Sequence, residues 1–381
     1  MGLRPAFREL IEAERERTGR IAFLVNDLVI EEQLCHLRCS YCLTEDFNLL
    51  MAVPDAHRRL TTDRRAQWHE LLQRFHEEVD CPILRISGGE FFWLRASTEF
   101  VEECSQMYET VQIITNGILL NNERIERLAA HPNVQLNVSL DGHTPEMNRH
   151  RFRPGQARLV ALILEQLDRA VAAGIPIEMQ SVLTDANAGG QLEFCEFLRD
   201  RYGDRVTLYF FPVRGLSAER IGVDPGPVLD ELAERYDELA AVLPPRAYVE
   251  HAARFMRDGR RSLPCFVTAT MAQLFNTGNV SACPHAWIEP ITNVLERPGS
   301  LGEQAAVHRH YDLFMQERPR FPFCRHCATP SDVINLYFLG EIDDHEISSC
   351  PLYSGSESLR RLRRLRELYA PVLARTTVAQ G

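Results

Sequence analysis

The chain contains no lysine, so each of its 42 formally positive side chains is an arginine. That excludes Schiff-base chemistry, and with it pyridoxal phosphate carried on a lysine. It also lacks any apolar run long enough to span a bilayer, about 20 residues. Its start, Met1-Gly2-Leu3-Arg4-Pro5, leads into a charged helical pattern and not into the apolar core of a secretory signal. N-myristoylation would want Ser or Thr at position 6, where Ala6 stands. An excess of basic charge is missing as well: the net charge of −11 offers no electrostatic footprint for nucleic acid. These absences predict a cytoplasmic protein with neither membrane nor nucleic acid as partner.

Cysteine is present in an odd number, 11, without a secretory signal. That argues against a disulfide framework and for metal ligation in a reducing compartment. A length of 381 residues, 45% apolar and 25% charged, allows one large globular domain with a smaller one, or two to three ordinary domains.

The densest cysteine signal is Cys35-His36-Leu37-Arg38-Cys39-Ser40-Tyr41-Cys42, spaced C-x3-C-x2-C. Three thiolates this close can hold three corners of a cubane [4Fe–4S] cluster and leave one iron open to a small molecule. A structural zinc site wants four closed ligands. Only Cys39 and Cys42 have that spacing, and no second close pair lies nearby.

Around this stretch, apolar runs alternate with helical patterns. Strands are expected at Ile21–Val25, Leu28–Ile30, Ile83–Ile86, Val111–Ile114, Val134–Leu140, Ile175–Leu183 and Val206–Phe211. Helices are expected at about 62–79, 97–108, 122–130, 156–173 and 190–201, after an N-terminal helix over 4–18. Such alternation indicates βαβ units on a parallel sheet. About six units fit before residue 212, and the cysteine loop falls at the C-terminal end of a strand. Three short motifs also fall at strand ends: Ser87-Gly88-Gly89-Glu90, Thr115-Asn116-Gly117 and Ser139-Leu140-Asp141-Gly142. The paired glycines permit close backbone approach; read alone, all three motifs are also ordinary turn signals.

A second cysteine set follows: Cys265, then Gly278-x4-Cys283, then Cys324-x2-Cys327, with 40 residues between Cys283 and Cys324. Four thiolates make a complete zinc site or a complete cluster site, and spacing leaves both open. Cys350 is left over. Cys81, Cys104 and Cys195 lie within strand or helix patterns and read as core. Near the end, Leu359, Leu362, Leu365 and Tyr369 form a helical stripe flanked by Arg360, Arg361, Arg363, Arg364 and Arg366, which reads as a basic helix packed on the acidic body.

The C-x3-C-x2-C stretch, with Tyr41 just before its third cysteine, resembles the signature of radical S-adenosylmethionine (SAM) enzymes. The resemblance implies an α/β fold, a partial (β/α)6 TIM-like barrel followed by a smaller C-terminal auxiliary-cluster domain. It implies that Cys35, Cys39 and Cys42 hold the SAM-binding [4Fe–4S] cluster. Tyr41, Gly88, Gly89, Glu90, Asn116, Ser139 and Arg151 are the implied SAM contacts, with Arg149 and Arg153 as rivals to Arg151. The family usually has Pro after Gly-Gly-Glu, where Phe91 stands, and often His-Asp where Met147-Asn148 stand. The second set resembles the family's SPASM extension in its shortened twitch form. Val333 and Tyr337 occupy two of the longer form's cysteine positions, so the implied ligands of one auxiliary [4Fe–4S] cluster are Cys265, Cys283, Cys324 and Cys327.

The expected organisation is residues 1–20 as an N-terminal helix, 21–213 as the barrel, 214–350 as the auxiliary-cluster unit and 351–381 as the basic helix. The expected activity is cleavage of SAM to a 5′-deoxyadenosyl radical, followed by oxidation of a small biosynthetic intermediate such as a sugar or aminocyclitol. That tilt to a small molecule rests on the short stretches before the first strand and after Cys327. The alternatives are a maturase that cross-links or epimerises a ribosomal peptide and, in another class, a non-catalytic iron–sulfur electron-transfer or sensor protein. A flavodoxin or ferredoxin is the implied electron donor. Arg214, Asp141 and Glu178 lie near strand ends as unranked proton acceptors, and Cys350 is a candidate hydrogen-atom donor.

Overall fold

The computed structural model describes residues 12–43, 56–214, 217, 221–223, 227–283, 289–307, 324 and 326–377. Strands β1 (Ile21–Ala22) and β3 (Val79–Asp80) form a small parallel pair. All the others join one sheet: β2 (Val25–Ile30), β4 (Ile83–Gly88), β5 (Thr110–Thr115), β6 (Val134–Ser139), β7 (Ile177–Leu183), β8 (Val206–Pro212), β9 (Met271–Phe275), β10 (Asn279–Ser281) and β11 (Thr292–Asn293). Its order is β11-β10-β9-β2-β4-β5-β6-β7-β8. The run from β2 to β8 is wholly parallel, the six strands of a partial barrel. Each parallel step is bridged by helix: α1 (Arg65–His76), α2 (Ser97–Cys104), α3 (Asn122–Ala129), α4 (Arg158–Ala172) and α5 (Gln191–Tyr202).

Periodicity placed these helices because each buries one stripe. Trp68, Leu71, Leu72 and Phe75 of α1 are buried, as their spacing predicts. In α4 the buried face includes Val160, Ile163, Gln166, Leu167 and Ala170, while Leu159 and Leu162 sit half-buried. Gly174 at φ +81° is the C′ glycine that ends α4.

The expected break between Val25 and Leu28 is absent: β2 runs unbroken through Asn26 and Asp27. Both side chains are buried and partnered. Asp27 pairs with Arg85 at 2.8 Å and accepts from Gln273 at 2.9 Å. The register puts Gln273, Asp27, Arg85, Gln112 and Gln135 in one row across five strands. On the same face, Gln112 and Asn137 donate to the Glu178 carboxylate at 2.8 and 3.2 Å. Alternate residues, among them Leu28, Leu84, Ile86, Val111, Ile113, Leu136 and Val138, are buried and apolar on the other face. The sheet therefore has one polar and one apolar side.

The chain returns to this barrel after β8. Helices α6 (Val228–Glu234) and α7 (Arg246–Asp258) lead to β9, which pairs in parallel with β2 on the side away from β4. Helix α8 (Asp332–Leu339) is followed by the segment 350–353, which reaches the polar face: Leu352 N–H donates to Glu178 at 3.2 Å and Gln135 donates to the Pro351 carbonyl at 2.7 Å. The last helix, α9 (Ser356–Thr377), buries Leu362, Leu365 and Tyr369. Its arginines pair with Asp80 through Arg361, Asp344 through Arg363 and Glu14 through Arg364. No helix among the described residues is long and apolar enough to cross a membrane. Residues 1–11 lie outside the described residues; of the N-terminal helix expected over 4–18, residues 12–18 are helical.

Candidate active site

The three-cysteine loop leaves the end of β2. Glu31 turns the chain with φ +48°, and its buried carboxylate is held by Arg59 and Arg64. The loop then lies against the Gly88-Gly89 turn at the end of β4. A Cβ on Gly88 would stand 2.0 Å from the Ile30 carbonyl oxygen, and one on Gly89 would stand 2.1 Å from that of Leu34. Glu90 N–H donates to Leu34 O at 2.9 Å. The close approach these glycines permit is thus between the strand ends themselves.

Glu90 is almost fully buried. Its Oε1 accepts from Thr115 Oγ1 at 2.8 Å and Phe92 N–H at 3.2 Å, and its Oε2 accepts from Asn116 N–H at 2.8 Å. Burial raises its pKa against those three donors. The carboxylate thereby binds the end of β4 to the end of β5. Asn116 in turn sends its amide towards His36 Nε2 at 3.5 Å, inside the cysteine loop, and His36 meets Trp93 edge-on.

A second brace comes from the segment after β6. Ser40 N–H donates to His150 O at 2.9 Å, and the Cys39 thiol lies 3.8 Å from Arg151 O. Tyr41 donates through its hydroxyl to Asp141, which also accepts from Arg151 at 3.4 Å and Val182 N–H at 3.1 Å. Asp141 is therefore a structural hub, tying the cysteine loop to β6 and β7. Arg151 is buried, with its Nε–H unpartnered among the described residues. Burial works against its charge, and Asp141, Tyr41 and Cys39 outweigh that and keep it cationic. Geometry separates it from its rivals: Arg149 pairs with exposed Asp185, and Arg153 is exposed. Met147 and Asn148 have structural duties. Asn148 bonds Asp141 N, Gly142 O and Thr144 O, and Met147 fills the space over Gly142. Ser139 ends β6, half-buried on the polar face.

The three cysteines fit a cluster. All are free and partly buried, and their thiols lie within electrostatic reach of one another. Leu37 N–H points at Cys35 Sγ at 3.4 Å, and the Arg151 cation acts on both Cys35 and Cys39. Burial pushes the metal-free thiols up, to about 11 for Cys35 and about 12 for Cys39. Nearby positive charge and amide donors are what bound thiolates require.

Residues 32–186 match the Radical SAM superfamily. The chain carries a radical SAM domain. Mycofactocin maturase MftC of Mycobacterium tuberculosis (strain ATCC 25618 / H37Rv) is 27% identical over 263 residues, 66% of this chain and 62% of that protein. The chain thus spans less than two thirds of that relative. Among solved structures, Streptococcus suis SuiB bound to precursor peptide SuiA aligns with a TM-score of 0.54 at 15% identity, covering 79% of this chain and 68% of SuiB. Native anSMEcpe with bound AdoMet and Kp18Cys peptide aligns at 0.54 and 13% identity, covering 76% and 83%. At these identities the likeness shows the fold, the partial barrel of radical SAM enzymes. The radical SAM family uses SAM and a [4Fe–4S] cluster, and the Cys35–Cys42 loop, within the matched residues, is the candidate site for it.

The second cysteine set lies beyond the radical SAM domain. Cys265 precedes β9, and Cys283 follows β10. Cys327 N–H bonds the Cys324 carbonyl at 3.4 Å, so those two share a turn. Cys265 and Cys327 lie within electrostatic reach of each other, and burial raises both. Among the described residues, no three His, Cys, Asp and Glu side chains converge on a single-ion site. Ligands of a cubane stand farther apart, around four irons and four sulfides. Val333 and Tyr337, at the longer form's cysteine positions, are buried in α8.

The other candidates are spread out. Arg214 follows β8, stacks on Phe211 at 4.9 Å and acts electrostatically on Cys327. Glu178 sits at the second position of β7, near the strand's N-terminal end, beneath the 350–353 segment. Cys350 is buried beside Tyr209 and Glu178, and burial pushes its thiol up to about 12. Sequence reasoning missed the hub role of Asp141, the contacts of His36, and a buried Arg261–Asp332 pair beside the second cysteines. No motif marks Arg261 and Asp332, which lie 71 residues apart, and although Asp141 and His36 stand inside motifs, their contacts are with distant residues such as Tyr41 and Trp93.

Proposed function

We propose that this radical SAM enzyme modifies a peptide. When bound, the cluster and SAM supply a 5′-deoxyadenosyl radical that removes a hydrogen atom from the substrate. In this proposal Cys35, Cys39 and Cys42 are the cluster ligands. The unpartnered Nε–H of Arg151, beside those cysteines, carries the assignment: a buried cation with a free donor suits the carboxylate of SAM. Ser139 supplies a hydroxyl on the same polar face, while Tyr41 orients Arg151 through Asp141. Gly88, Gly89 and Asn116 border the site, and Glu90 keeps acceptor capacity on Oε2 for the amino group. Cys265, Cys283, Cys324 and Cys327 would hold one auxiliary cluster, which would supply an acceptor for the electron that the substrate radical gives up, with a proton, on oxidation. A flavodoxin-like or ferredoxin-like donor supplies the first electron.

The names of the matched proteins support a peptide over the sugar or aminocyclitol expected from sequence: a maturase, and two enzymes solved with peptides. The test is co-expression of the chain with short peptides encoded beside its gene, read by mass spectrometry. A peptide that loses about 2 Da, two hydrogens, only when Cys35, Cys39 and Cys42 are intact supports the proposal. Unmodified peptides, together with oxidation of a small metabolite by the purified chain, would overturn it.

A further inference from the structure

Arg261, Asp332 and Asn335 form a buried network beside the second cysteine set, away from the Cys35–Cys42 loop. The Arg261 guanidinium is 10% exposed and Asp332 is 1% exposed. Arg261 donates from Nε to Leu263 O at 2.8 Å, from Nη1 to Cys327 O at 2.7 Å and from Nη2 to Asp332. Asp332 also accepts from Thr329 N–H at 2.9 Å and Asn335 Nδ2 at 2.6 Å. Asn335 Oδ1 closes the circuit by accepting from Phe266 N–H at 2.6 Å. Every bond joins one of two segments: residues 261–266, which carry Cys265, and residues 327–335, which begin at Cys327.

Among the described residues, these charges act on the thiols of Cys265 and Cys327. Arg261 acts on both Cys265 and Cys327, and Arg214 acts on Cys327 from the end of the barrel. Asp332 opposes them, and His251 lies 3.9 Å from Asp332. Burial works against the charge on Arg261, and Asp332 outweighs it. A cation held this close favours the reduced form of a cluster, which carries one more negative charge. Cluster potentials respond to net charge, hydrogen bonding and exposure.

We infer that Arg261, locked by Asp332 and Asn335, positions Cys265 against Cys327 and raises the reduction potential of the cluster they hold. The inference rests on the auxiliary-cluster reading above. Arg261 is a positioning residue: it reaches the cluster through the backbone of its ligands and through its charge.

The test uses the full chain with Cys35, Cys39 and Cys42 all changed to Ala, reconstituted with iron and sulfide, so that only the second cluster remains. About four irons per chain are expected there; none would refute both the auxiliary-cluster reading and this inference. With the cluster present, redox titration followed by electron paramagnetic resonance reads its potential. Arg261→Gln should lower that potential, or lose the cluster while circular dichroism stays native. Arg261→Lys keeps the charge but not the fork of donors, so it should keep the potential of any cluster retained and hold the cluster less tightly. Asp332→Asn, which removes the opposing charge, should raise the potential and serves if Arg261→Gln does not fold. Unchanged potential and iron content in Arg261→Gln, or in Asp332→Asn, overturns the inference without touching the auxiliary-cluster reading.

Discussion

Glu90 shows how one side chain can serve two ends. Its carboxylate receives three donors from β5 and from the turn after β4. A Gln there would set an NH2 group against one of the backbone N–H donors. Glu90→Gln is therefore expected to cost about 1–3 kcal/mol and to lower the melting temperature; an unchanged transition would contradict this account of the residue. Glu178 supplies a pH signature. Burial raises its pKa against its three hydrogen bonds. The folded chain thus holds that proton more tightly than the unfolded chain does. The stability this contributes is full below the ordinary carboxyl pKa and is lost as pH rises through the raised folded value. Glu178→Gln should flatten that part of a melting-temperature-against-pH curve. A variant curve parallel to the wild-type curve would contradict it. At this scale the sequence singled out Cys35, Cys39 and Cys42 as candidates, since their pattern needs only local spacing. It did not show what Asp141 or Arg261 touch. Their partners lie up to 100 residues away for Asp141 and up to 71 for Arg261.

Among elements, the turn after β4 and the segment after β6 decide whether the cysteine loop is held. Gly89 is required by contact: its Cβ would meet the Leu34 carbonyl, one residue before Cys35. Gly89→Ala should destabilise the chain by more than about 2 kcal/mol and reduce iron bound at the first site, measured by unfolding and iron analysis. Full iron loading in a stable variant would contradict the close approach. The helices were legible, though their ends fell up to four residues short of those expected, because Trp68, Leu71, Leu72 and Phe75 repeat at helical spacing and all face the core. The continuity of β2 was not, because Asn26 and Asp27 look like a break until Tyr108 is seen to bond the Asn26 amide, and Arg85 and Gln273 the Asp27 carboxylate. Val333 and Tyr337 were read as missing cysteines; in the structure they are core residues of α8.

At the scale of the molecule, six parallel strands present a polar face beneath the three-cysteine loop, and the C-terminal chain closes on that face through Leu352 and Pro351. The six parallel strands of the barrel were legible from alternating patterns, while β9, β10 and β11 were not. The pairing of β9 with β2 was not, since 240 residues separate their ends and only the folded sheet brings them together. The arrangement makes one central claim, that the loop at the end of β2 binds the cluster that cleaves SAM. The most direct measurement is 5′-deoxyadenosine released when the anaerobically reconstituted, reduced chain is mixed with SAM. The account predicts release by the wild-type chain and none by the chain with Cys35, Cys39 and Cys42 changed to Ala; undiminished release by that variant would contradict it.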